Sequence, residues 1–380
     1  MPHAPRYFAN DPQTLERADP HKVLLKTLTI IVTQCSPQTG PPWGWDYSGL
    51  YSGPTSTAYL FYRLSLTHPG LQLKGRTMHD WCGAYLDGPR RRHPDGVGKL
   101  DPSHCGIAQE VFAHTAVTSV AKHDLDAVAQ LCSYADTLLG SGGSDEWLYG
   151  RAGYLYFLRL VKDGFRQEQR VQERIQEVIE RVIDRILQSP RPWTWHKEAY
   201  LGAAHGAMGI ITQIILSSPS RANMLESTLG ELLDTQYPSG NLPPSIPVSN
   251  DDQLVQFCHG APGFIISLTS LRTYFQDLRG RIDTAITRGR ECIWERGLLT
   301  KEPCLCHGIA GNALAFDDLE KFEHYLYFMT EEQLRKRWHV GSSGVDVSAD
   351  SLFTSDAGRA WAWVVADKIL PKRCIGYNDL

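Results

Sequence analysis

A glycine turn that recurs seven times constrains this 380-residue chain more than any other feature. Complete copies are Gly150-Arg-Ala-Gly153, Gly206-Ala-Met-Gly209, Gly260-Ala-Pro-Gly263 and Gly308-Ile-Ala-Gly311. Degenerate copies are Gly53-Pro-Thr-Ser56, Gly106-Ile-Ala-Gln109 and Ser355-Asp-Ala-Gly358. Successive copies begin 53, 44, 56, 54, 48 and 47 residues apart. One such turn carries no information, but seven in near-register are the mark of a repeat architecture.

Each turn leads into an apolar run with few charges, such as Tyr154 to Leu160, Ile210 to Leu216 and Phe264 to Leu271. These runs read as buried helices that open at the glycines. Between them lie charged stretches of helical period. In Gln167 to Gln188, the residues Val171, Ile175, Val178, Ile179, Val182, Ile183 and Ile186 form one stripe, as expected of a helix with a solvent face. One buried and one half-exposed helix per repeat make a hairpin. Seven hairpins in a ring predict an all-α fold, an α/α toroid of about fourteen helices in a single domain spanning residues 1–380. All seven glycine turns are then expected on one face, where helix N-terminal amides gather. Residues 1–45 contribute one helix, from about Pro20 to Cys35, and a connection. The Pro-rich stretch from Tyr237 to Asn250 breaks the helical pattern and is expected to lie across the mouth of the ring.

The net charge of −4 gives no electrostatic footprint for nucleic acid. The basic cluster Arg90-Arg91-Arg92-His93, between Gly-Pro and Pro-Asp-Gly, reads as a solvated loop. No apolar run is long enough to cross a membrane, and Met1-Pro2-His3-Ala4-Pro5 does not begin a secretory signal. Nine cysteines without framework spacing suit a reducing, cytoplasmic setting better than disulfides.

Two turns carry chemistry. Phe257-Cys-His-Gly260 and Cys304-Leu-Cys-His-Gly308 each set a cysteine and a histidine ahead of the glycine. Soft ligands delivered from two repeats to one mouth are a way to build a zinc site. Three protein ligands would leave a fourth position open, and Cys304 is the candidate that would instead close the site as a structural one. His205 stands directly before Gly206 and is expected to reach the same mouth. There it either moves a proton or packs as an ordinary turn histidine. A rival reading comes from Asp317-Asp318-Leu319-Glu320, which faintly resembles the aspartate-rich diphosphate motif of terpenoid cyclases.

Taken together, the strings Glu146-Trp-Leu-Tyr-Gly-Arg-Ala-Gly-Tyr154, Tyr200-Leu-Gly-Ala-Ala-His-Gly206, Ser239-Gly-Asn-Leu-Pro-Pro244 and the two Cys-His runs resemble the lanthionine synthetase C-like proteins, close to their eukaryotic branch. The resemblance extends from about Gly49 to Ala366. It implies the seven-hairpin toroid and one zinc held by Cys258, Cys306 and His307. It also implies thioether formation, the zinc-dependent addition of a thiol, glutathione or a peptide cysteine, to an electron-poor alkene such as a dehydroamino acid. A non-catalytic zinc- and glutathione-binding regulatory protein is the alternative.

Under that resemblance His205 matches the family's acid/base histidine, and His259 becomes a residue that orients Cys258 or its turn. Glu146 matches an acidic position tied to catalysis in bacterial relatives; it relays protons or favours the helix N-terminus. Lys301 matches a glutathione-contacting lysine. Arg151 and Lys301 are the candidate anchors for a carboxylate or enolate, or else surface charges. The chain departs from the family in its seventh repeat. Thr354 and Ser355 stand where eukaryotic members have glutamate and glycine, and the expected arginine near Gly344 is missing.

Overall fold

The computed structural model describes residues 6–10, 15–41, 44, 46–88, 100–249, 252–338 and 349–380. The basic cluster at 90–93 and the neighbourhood of Gly344 fall outside these residues.

Seven helices begin at the seven turns and pack side by side as an inner ring, each hairpin adding an outer helix. Helix α1 (Pro20–Gln34) precedes the first turn and is capped by Asp19, which accepts from the Lys22 amide at 3.2 Å. The first hairpin is α2 (Pro54–Thr67) inside and α3 (Met78–Leu86) outside, and the second is α4 (Glu110–Lys122) with α5 (Leu125–Ser133). A single turn, α6 (Ala135–Leu138), leads to the third, α7 (Arg151–Gly164) with α8 (Gln169–Leu187). The fourth pairs α9 (Ala207–Ser217) with α10 (Ala222–Asp234), and the fifth pairs α11 (Ala261–Leu271) with α12 (Arg279–Arg296). The sixth pairs the short α13 (Ile309–Ala313) with α14 (Leu319–Tyr327), and α15 (Glu331–Trp338) follows. The last inner helix is α16 (Asp356–Asp367).

Inner helices touch in chain order, and α16 closes the circle on α2. The outer partner of α16 is α1, so the N-terminal helix completes the seventh hairpin. The division of labour follows from sequence pattern. On α8 the buried residues are Ile175, Val178, Ile179, Val182, Ile183 and Ile186, one stripe at helical spacing, with Val171 half-buried. On α7 every residue from Arg151 to Val161 is buried.

Two features of the turns explain why glycine recurs. A Cβ on Gly263 would sit 2.0 Å from the carbonyl oxygen of Phe257, and one on Gly311 would sit 2.0 Å from that of Leu305. The six-residue offset repeats at Gly153, Gly209 and Gly358, so these five turns fold their own backbone onto the start of the helix too tightly for a side chain, while Ser56 and Gln109 stand at that position in the other two. Gly260 and Gly53 additionally have φ of 112° and 101°, a region that other residues rarely enter.

The turns are joined by a closed circle of backbone hydrogen bonds. Leu50 N–H donates to Ile107 O, Ile107 to Trp147 O, Trp147 to Ala204 O and Ala204 to Cys258 O. Cys258 then donates to Cys306 O, Cys306 to Phe353 O and Phe353 to Tyr51 O, with lengths from 2.8 to 3.5 Å around the ring. Equivalent positions of successive repeats thereby become neighbours.

The stretch from Tyr237 onward is tied to the neighbouring turns. Its β4 (Ser245–Ile246) pairs antiparallel with β3 (Ala199–Tyr200), beside another two-residue pair, β1 (Gln72–Leu73) and β2 (Arg76–Thr77). Asn241 Oδ1 accepts from the Ala261 amide at 2.8 Å and caps α11. Beneath the turns, Trp147, Phe257, Phe353 and Tyr377 pack ring against ring. Below that layer residues 374–380 fill the centre of the ring. Asp379 accepts from Tyr59 (3.0 Å), Tyr156 (2.8 Å) and the Gly376 amide (2.9 Å) and pairs with Arg63 at 2.8 Å. The Tyr377 carbonyl accepts from Arg159 and Gln213, both at 3.0 Å.

Candidate active site

The backbone circle places Cys258 and Cys306 in adjacent turns, joined by the 3.0 Å bond from Cys258 N–H to Cys306 O. Both side chains are nearly buried, at 8% and 7% exposure. The two thiols act on one another, and His307 and the Tyr51 hydroxyl act on the same sulfur of Cys306. Cys306 is therefore held well below the usual thiol range, first by Cys258, with burial opposing and His307 and Tyr51 assisting. Cys258 is pushed up by Cys306 and by burial. His307 is raised to about 10 by hydrogen bonds to Cys304 and then Cys306. The cluster thus gathers two buried thiols and an imidazole whose titrations are tied to one another.

Among the described residues no group of three or more His, Cys, Asp or Glu side chains stands in metal-holding geometry, Cys258, Cys306 and His307 included. The donor set nevertheless fits a thiophilic dication. Adjacent turns bring two sulfurs and one ring nitrogen together, and the protons they carry are those that metal binding releases. The Gln256 amide Nε2 donates to Cys258 Sγ at 3.1 Å, as partners of ligating sulfurs do.

His205 stands beside this cluster. Its Nδ1 lies 3.1 Å from Glu146 Oε2. Glu146 is buried and also accepts from the Leu148 and Tyr149 amides at 2.7 and 2.6 Å. The carboxylate thus secures its own turn and holds the imidazole. Trp195 lies flat on the His205 ring (centroids 3.9 Å apart, planes 6° apart), and Tyr149 extends the stack. Tyr200 and His259 complete the surround, at 5.9 and 6.0 Å from His205 between centroids. His259 is pushed down to about 4 by burial, then by His205 and Lys301, and its buried Nδ1 has no partner.

Lys301 Nζ donates to Gln256 Oε1 at 3.0 Å, which places it at the edge of the cluster. Arg151 lies elsewhere. It is fully buried and its guanidinium is occupied by Asp145 (2.7 Å) and the carbonyls of Leu138, Gly140, Gly142 and Ser144. Arg151 is therefore a clamp on the 138–145 loop, and the sequence expectation of a substrate anchor is corrected. In the seventh turn the Thr354 hydroxyl donates to Ser351 Oγ at 2.6 Å and Ser355 is buried. The acidic run Asp317 to Glu320 is exposed at the start of α14, where Asp318 caps the helix and Asp317 pairs with Arg290. It follows an inner helix rather than preceding one, which removes it from the turn face and from the diphosphate reading.

Sequence reasoning did not find Tyr51, Gln256, Trp195 or Tyr200. Tyr51 precedes the degenerate turn at Gly53, and Gln256 precedes Cys258 by two, the offset that separates Cys304 from Cys306. That offset was the available signal.

The sequence profile of the lanthionine synthetase C-like proteins matches residues 44–340. Glutathione S-transferase LANCL1 of Danio rerio is 37% identical over 192 residues, 47% of each chain, so the match spans about half the length of that relative. Among solved structures, nisin cyclase superposes with a TM-score of 0.63 at 10% identity, covering 93% of this chain and 95% of its own, a likeness of fold. The repeat, the closed ring and the family match agree, and the chain is a member of the lanthionine synthetase C-like family.

Proposed function

We propose that this chain adds a thiol, glutathione or a peptide cysteine, to an electron-poor alkene such as a dehydroamino acid, forming a thioether with the help of zinc. The observation that carries the reading is that adjacent turns bring Cys258 and Cys306-His307 together, Cys258 N–H donating to Cys306 O at 3.0 Å, with the Glu146–His205 pair on the next turns of the ring. Zinc held by those three residues would supply a Lewis acid that keeps a thiol sulfur anionic at neutral pH.

The rest of the chemistry belongs to side chains. The thiol sulfur attacks the β-carbon, a carbon–sulfur bond forms, and the π pair moves toward the α-carbon and its carbonyl. The proton lost by the thiol must reach the α-carbon. Glu146 accepts from His205 Nδ1 and so leaves Nε2 to hold and deliver that proton. Trp195 and Tyr149 fix the plane of the imidazole and shield it from water. Lys301 and the relative's printed name support glutathione as a thiol, while Thr354 and Ser355 alter the site that the eukaryotic members share. All nine cysteines are free thiols, which suits work in the cytoplasm. Among the described residues no helix is long and apolar enough to cross a membrane.

The test is turnover. Zinc-loaded protein incubated with glutathione and a dehydroalanine peptide should yield the thioether adduct by mass. Binding of the thiol without adduct, across free and peptide thiols, would leave a regulatory binding protein instead.

A further inference from the structure

Gln256 joins Lys301 to Cys258 in one line of hydrogen bonds. Lys301 Nζ donates to Gln256 Oε1 at 3.0 Å, and Gln256 Nε2 donates to Cys258 Sγ at 3.1 Å. An amide in a structure can be turned either way, since its oxygen and nitrogen look alike. Here chemistry decides. A lysine ammonium has donors only, so the amide atom that faces it is the oxygen. The atom that faces sulfur is then the NH2 group, and Cys258 is the acceptor.

The relay is built in. Gln256 is 6% exposed, and its own N–H donates to His259 O at 3.2 Å, tying the glutamine to the turn that it serves. Lys301 follows a stretch fastened to the N-terminal segment, where Phe8 N–H donates to Leu298 O and Thr300 N–H to Arg6 O. The N-terminal segment thus holds the stretch that carries the lysine.

We infer that Gln256 is a positioning residue for Cys258, aimed by Lys301, so that its amide N–H is held against the ligating sulfur. The inference rests on the zinc reading above. It gives Lys301 a task on the protein side of the site, whether or not the same ammonium also meets a substrate carboxylate. A donor held against a ligating sulfur orients it and tunes it as a metal donor.

Cobalt binding tests the relay without turnover. The full-length protein and its variants Gln256→Glu, Gln256→Leu, Lys301→Met, Lys301→Arg and the Gln256→Leu/Lys301→Met pair are titrated with cobalt(II) against a chelator. Matching thermal unfolding of the metal-free proteins shows which remain folded. Gln256→Glu preserves shape and the lysine pairing but lacks the donor, so it should weaken cobalt about 10- to 100-fold, the usual worth of such a partner. Its sulfur-to-cobalt band should move to longer wavelength. Lys301→Met should weaken cobalt in the same direction, Lys301→Arg should recover most of the loss, and the double variant should be no weaker than Gln256→Leu. Equal affinities across the set, or losses that add in the double variant, would overturn the relay while leaving the zinc reading intact. A wild-type chain that takes up no cobalt would overturn both.

Discussion

The turns Cys258-His259-Gly260 and Cys306-His307-Gly308 share a sequence, yet their histidines are in opposite conditions. His307 is raised to about 10 by the sulfurs of Cys304 and Cys306, whereas His259 is pushed down to about 4 by burial, His205 and Lys301. The turns pack alike at their second glycine, since Gly263 and Gly311 meet the carbonyl six residues back at the same 2.0 Å, but Gly260 has φ of 112° and Gly308 of −130°. Also different is the residue two places before the cysteine. Cys304 offers sulfur to its own histidine, while Gln256 offers an N–H to its own cysteine. A repeated turn therefore delivers a cysteine and a histidine twice, and their neighbours select three of the four for the cluster.

Metal content should break the symmetry most sharply. Cys306→Ala and His307→Ala are expected to lose most of the zinc, and His259→Ala to keep it, as read by elemental analysis of purified protein. Loss from His259→Ala equal to that from His307→Ala would mean the two turns are equivalent after all. The next largest effect is expected at the third histidine of the series. His205→Ala should retain zinc and thiol but slow thiol addition by about 100- to 10,000-fold, the usual worth of a positioned acid/base. A rate within a factor of two of wild type would reduce His205 to a packing residue.

The backbone half of the comparison predicts equality where the side chains predict difference. Gly263→Ala and Gly311→Ala should each destabilise the fold by about 3 kcal/mol or more, because the added carbon overlaps a main-chain oxygen that the turn cannot move. Denaturant unfolding that separates the two by several-fold would show that the turns are not mechanically alike. The smallest effect is at Tyr51, which donates to Cys306 but not to Cys258. Tyr51→Phe keeps the stack on Phe353 (centroids 5.6 Å) and removes one hydrogen bond, so it should cost about 1 kcal/mol or less of stability in the metal-free protein.

Much of the ring was legible because its causes are local. A glycine forced by its own turn, followed by an apolar helix, is visible in any one repeat, and seven copies give the architecture. Cys258, Cys306, His307 and His205 were legible because each stands directly before, or one residue from, such a glycine. Other features depend on closure. Tyr51 reaches Cys306 only because Phe353 N–H bonds Tyr51 O across some three hundred residues, and α1 finds α16 in the same way. Residues 374–380 look like an ordinary polar end, and only the ring shows Asp379 meeting Tyr59, Tyr156 and Arg63 at its centre. Arg151 misled for a related reason: a charge inside a turn reads as exposed until the 138–145 loop is seen wrapped around it.

The central claim is that the ring selects two sulfurs and the His307 nitrogen, and leaves His259 out. X-ray absorption at the zinc edge of the His259→Ala protein tests it directly. The account predicts one zinc per chain with two sulfurs at about 2.3 Å and one protein nitrogen at about 2.0–2.1 Å, unchanged from wild type. Loss of the nitrogen shell, or a shell of three sulfurs that brings in Cys304, would contradict it.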